Sequence, residues 1–77
     1  MAVAERTLND VPVGEGATVA SIRGEGALRR RIMDMGITPG TKVEVRKVAP
    51  LGDPMEVALR GFDLALRKAE AESIVID

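Results

Sequence analysis

The chain has 77 residues, 45% of them hydrophobic and 30% charged, with a formal net charge of −1. That length suits one domain with one small core, and the near-neutral balance lacks the electrostatic footprint of a dedicated nucleic-acid binder. Cys, His, Trp and Tyr are absent and Phe62 is the single aromatic, which excludes disulfides, thiolate or imidazole catalysis, and metal sites built on Cys or His. Aromatic platforms for single-stranded nucleic acid or proline-rich peptides need several rings.

The longest uncharged stretches, Gly16–Ile22 and Met35–Thr41, are seven residues each, against the roughly 20 a membrane helix needs. The opening segment, Met1 to Arg6, has no apolar run of the signal-peptide kind. Met1 therefore reads as a native start, and the chain as intracellular and soluble. Residues 1–6 are expected to fray, with Leu8 and Val11 anchoring a lead-in before Pro12.

Residues Ala17–Arg23 form the first strand candidate, broken by Gly24 and Gly26. Ala27–Met35 has the helical period, with Leu28, Ile32 and Met35 on one stripe. Gly36 falls where a helix ends most cheaply in the left-handed region, Ile37 follows as a hydrophobic contact, and Pro39 forbids resumption. From Lys42 to Arg46 the period is two, and the phase breaks at Lys47–Ala49 as a bulge would break it. Pro50 to Pro54 is a loop. Met55–Arg60 alternates again, Gly61-Phe62-Asp63 reads as a tight turn, and Leu64–Arg67 as a short strand. Lys68–Glu72 reads as a 3-10 turn, and Ser73–Ile76 closes the chain as a strand.

Short strands joined by hairpins close most economically into a small barrel. The expected fold is mainly β: a five-stranded SH3-like β-barrel over residues 1–77, with one α-helix inserted after the first strand and a short 3-10 turn before the last. The expected core is Val19, Ile22, Leu28, Ile32, Met35, Val43, Val45, Val57, Leu59, Leu66, Ile74 and Ile76.

Candidate functional residues are few. The Arg29-Arg30-Arg31 run suits an acidic or phosphate-bearing partner, or is simply a solvated helix face with the Arg31 stem along the core stripe. Met33 lies about 140° from Leu28 around the helix, which suits a partner surface as well as a gap filler. Gly24-Glu25-Gly26 lacks the Lys and Ser/Thr of a nucleotide loop, and reads as a strand-to-helix corner. Asp53 with Glu56, and Glu70 with Glu72, do not have the spacing of a calcium loop or of a catalytic pair. The proline-stiffened stretch Pro50-Leu51-Gly52-Asp53-Pro54 is longer than a hairpin needs and holds Leu51 near its tip. Its bland reading is a turn in which Asp53 caps local amides.

Three ordered motifs carry a family resemblance. Arg30-Arg31-Ile32-Met33-Asp34-Met35-Gly36-Ile37-Thr38-Pro39-Gly40-Thr41 resembles the "R-L-x-x-M-G-I-x-P-G-T" signature of the FeoA family, with Ile32 in place of Leu. Ala49-Pro50-Leu51-Gly52-Asp53-Pro54 is similar residue for residue to that family's "A-P-L-G-D-P" loop, and Leu64–Arg67 with Glu70, Ala71 and Ile74 resembles its "I-A-L-R…E-A…I" ending. The resemblance implies an SH3-like barrel and a cytoplasmic, non-enzymatic accessory or regulatory role in ferrous iron transport. The partner it implies is the cytoplasmic part of the transporter FeoB, so that the chain meets the membrane only through the transporter and needs no nucleic acid. It also implies transition-metal binding at family level. Without His or Cys this chain is expected to hold no metal and no cofactor of its own.

The expected partner-binding residues are Arg30, Met33, Leu51, Gly52, Asp53 and Pro54, with no catalytic residue. The alternative function is a small-barrel nucleic-acid-binding or metalloregulator-type domain using Arg29–Arg31. A similar domain closes some metal-dependent repressors, but no helix-turn-helix precedes the strands here.

Overall fold

A computed structural model describes residues 6–77. The segment expected to fray lies outside them except for Arg6, whose carbonyl accepts a hydrogen bond from Ile76 N at 3.0 Å. A 3-10 turn over Leu8–Asp10 comes first, where only a lead-in was expected. Asp10 Oδ2 accepts from the Thr7 amide at 3.0 Å, Leu8 is fully buried, and the turn lies against the second helix. The elements that follow are β1 (Gly16–Ile22), α1 (Gly26–Asp34), β2 (Lys42–Val48), β3 (Met55–Leu59), β4 (Phe62–Leu66), α2 (Lys68–Glu72) and β5 (Ile74–Ile76).

The five strands form one antiparallel sheet in the order β4-β3-β2-β1-β5. β1 serves two partners. Its first residues pair with β2 and its last with β5, with a register shift between Val19 and Ser21. A strand that changes partner along its length bends, which curls the sheet around one core. β4 and β5 remain its two edges, so the small SH3-like barrel is curled but not closed. The bulge expected near Lys47 sits one residue earlier: Val45 pairs with Val57 and Lys47 with Glu56, leaving Arg46 as the extra residue.

α1 ends as its sequence dictates. Gly36 takes φ +92°, its amide bonds Met33 O at 3.0 Å, and Ile37 N reaches Ile32 O at 3.4 Å. This is the Schellman pattern, and it drives Ile37 into the core at zero exposure. α2 mixes spacings. Glu70 N bonds Arg67 O with 3-10 spacing, and Ala71 N bonds the same carbonyl with α spacing. The turn foreseen as 3-10 is thus assigned α, and the 3-10 turn proper is at Leu8–Asp10.

Leu8, Val19, Ile32, Ile37, Val45, Met55, Val57, Leu66 and Ile74 are fully buried, each stabilising by about 1.5–3 kcal/mol relative to exposure. Leu28 and Met35 are half-buried and pack on the core's rim. They stand about one turn to either side of Ile32, at the ends of a short helix, so Ile32 alone is fully covered.

Candidate functional site

Among the described residues, the β2–β3 connection carries the one large apolar side chain left almost wholly in water. Leu51 is 91% exposed. The loop beneath it is nevertheless pinned. Gly52 N donates to Ala49 O at 2.7 Å, closing a tight turn for which Gly52 takes φ +82°, and Ala49 N donates to Pro54 O at 3.1 Å across the loop's base. The Asp53–Pro54 peptide is cis.

Asp53 does not cap a neighbour, as its bland reading held. Its Oδ1 accepts from the Lys68 amide at 3.1 Å, fifteen residues away. Lys68 opens α2, so the carboxylate satisfies one of the free amides of a helix start. The same helix start is held from its other side. Glu70, 5% exposed, accepts from Arg67 N at 2.8 Å through Oε1 and faces Arg31 Nε at 3.2 Å through Oε2. The Arg31 side chain is 69% exposed, so water screens this pair and the backbone bond is the stronger tie. Arg31, Asp53, Pro54, Ala65, Leu66, Arg67 and Glu70 together line a cleft of about 390 Å³ at the foot of the loop.

The structure sorts the expected binding residues into two places. Gly52, Asp53 and Pro54 lie with Leu51 on the loop. Arg30 and Met33 line a separate depression of about 410 Å³ with Gly26, Arg29 and Asp34. Of the α1 arginines, the one that meets the loop's cleft is Arg31. Met33 is half-buried and packs against the core cluster, which corrects its placement as an outward anchor: a flexible thioether reaches the core even from the stripe's flank. Glu70 is a positioning residue that the spacing of the acidic residues does not reveal: it caps its own helix at Arg67 N, three residues back, and meets Arg31 from another helix. Among the described residues, no three His, Cys, Asp or Glu side chains converge to hold a metal ion, and no helix is long and apolar enough to cross a membrane.

A five-stranded curled sheet, a single inserted helix and a pinned loop with an exposed leucine define a small SH3-like domain. The FeoA domain model matches residues 6–77, and the chain belongs to the FeoA family. The FeoA-like protein of Clostridium acetobutylicum has a solution structure with 41% identity and a TM-score of 0.88, covering 99% of this chain and 88% of that one. FeoA of Stenotrophomonas maltophilia, crystallised with zinc and described as a prokaryotic SH3 domain protein, shows 30% identity and a TM-score of 0.82, covering 94% and 89%. The Fe(2+) transport protein A/Fe(2+) transporter FeoB fusion protein of Porphyromonas gingivalis is 30% identical over 70 residues. That match covers 91% of this chain and spans 8% of the relative's length.

Proposed function

We propose that this domain is a cytoplasmic, non-enzymatic accessory module of ferrous iron transport that docks on the cytoplasmic part of the FeoB transporter. The observation that carries the docking surface is Leu51, 91% exposed on a loop fixed at its base and at Asp53. A lone leucine in water is unremarked in most proteins, but one held on a stiff loop presents apolar area to a partner with little ordering cost. The fusion relative supports the choice of partner, because a single polypeptide there carries both moieties. Gly52, Asp53 and Pro54 shape the loop in this reading, and Arg31 with the more distant Arg30 supplies a polar rim.

Titration of the chain into the transporter's soluble domain tests it. Leu51→Ala should weaken binding by more than about 1 kcal/mol, with an unchanged thermal transition because Leu51 touches no core. Arg30→Ala should have a smaller effect. Normal binding by Leu51→Ala would move the contact elsewhere on the barrel.

A further inference from the structure

A second candidate site lies at the other end of the β2–β3 hairpin, and it begins with a strained residue. Leu59 pairs with Phe62, so Arg60 and Gly61 alone make the β3–β4 turn. Their φ values are +52° and +87°, which defines a type I′ hairpin turn. The first turn position favours Asn, Asp or Gly, whose side chains tolerate the left-handed region. Here it is Arg, the one non-glycine residue with positive φ among those described. Backbone strain of this kind persists where something else favours the residue.

Arg60 gains little from the fold itself. Its Nη2 donates to Thr41 Oγ1 at 3.5 Å, the outer limit of a hydrogen bond, and that hydroxyl already accepts from the Thr38 amide at 3.3 Å. Arg60 does line an open groove of about 510 Å³, within the range of binding clefts. Its lining includes the small residues Gly16, Ala17, Ala58 and Gly61, and Lys42 stands on it as a second cation. Neither Lys42 nor Arg60 has an ion-pair partner among the described residues. The groove's one carboxylate, Glu44, faces Arg46 at 3.5 Å.

We infer that this groove binds an acidic peptide segment of a partner protein, in extended conformation, with carboxylates drawn to Arg60 and Lys42. The small lining residues admit a backbone close to the strands. Two unpaired cations call for sparse negative charge. Glu44 on the wall and a net charge of −1 disfavour a polyanion such as nucleic acid. This surface shares no residue with the loop's cleft, so the inference stands apart from the docking proposal.

The test uses the ¹⁵N-labelled chain and a blocked pentapeptide of alternating alanine and glutamate. Amide shifts should appear at Thr18, Val43, Ala58 and Gly61 and saturate below about 10 mM. Glutamine in place of glutamate should weaken binding about tenfold or more, and Arg60→Asn, which suits the turn, should weaken it about fivefold with Tm unchanged or higher. The inference is overturned if the peptide shifts no amides, or if the shifts centre on Arg29–Arg31. Inorganic phosphate binding the groove as tightly as the peptide would reduce it to a simple anion site and overturn it too. So would an Arg60→Asn variant of lower Tm and unchanged affinity, since Arg60 would then be a structural residue.

Discussion

The two connections of the β2–β3–β4 meander solve the same geometric problem in opposite ways. The β3–β4 turn reverses the chain in two residues and meets the whole cost locally, at the backbone of Arg60 and Gly61. The β2–β3 loop is longer, and adds to its own base bond from Ala49 to Pro54 a tie from elsewhere, the bond from Lys68 of α2 to Asp53. A short turn is stiff by itself and sensitive to which residue it contains. A long loop is stiff only while its distant support survives, and is tolerant at its tip. Leu51, in water, and Arg60, in strain, are therefore exposed to different kinds of damage.

The largest expected effect comes from beneath the loop end. Ile32 is fully buried on α1, the helix that brings Arg31 to Glu70. Ile32→Ala should cost about 2–5 kcal/mol, measured by denaturant unfolding, which in so small a domain approaches the whole stability. A cost below about 1 kcal/mol would mean that α1 does not anchor the loop end at all. Asp53→Ala should cost less, about 0.5–1.5 kcal/mol. It should also speed hydrogen exchange at the Lys68 amide while leaving Gly61 untouched; equal loosening of both turns would erase the contrast drawn between them. Arg60→Asn should act in the other direction and stabilise by about 0.5–1 kcal/mol. Leu51→Ala should fall within about 0.5 kcal/mol of the parent, so its effect would be read in binding alone. Met33→Asp is a poor probe of docking, because it would place a carboxylate against the core that Met33 packs on.

What was legible in the sequence was whatever is set by near neighbours. The alternation of Val43 with Val45, and of Met55, Val57 and Leu59, fixed both strands and their inward faces, and Gly36-Ile37-Thr38-Pro39 spelled the end of α1. The pattern puts the β3–β4 turn at Gly61–Asp63, one residue late, since Arg60 is an unusual occupant of a left-handed position and the Arg-Gly pair does not advertise a hairpin as Asn-Gly does. The exposed Leu51 was found from two flanking prolines. The long-range ties that steady it are not: beyond its local bond to Arg67, Glu70 on α2 is engaged by Arg31 from α1, and Asp53 reaches an amide fifteen residues on. Such pairings depend on the finished topology, and no local period encodes them. Which helix arginine faces the loop's cleft is not legible for the same reason, since adjacent helix positions differ by about 100° and only the packed sheet decides between Arg30 and Arg31.

The path of β1 has one more consequence. Because that strand passes from β2 to β5, the last strand lies beside the chain's first described residues: Thr7 bridges Val75, Ile76 N bonds Arg6 O at 3.0 Å, and Asp77 N bonds Thr18 O at 3.0 Å. The two ends of the domain thus leave from the same edge. A short linker joining residue 77 to residue 6, with new termini opened at the exposed tip beside Leu51, would ask for no rearrangement of the core. For the same reason, a domain of this shape can be set into a longer polypeptide as a side branch, hung from one point, with its loop and its groove both left facing outward.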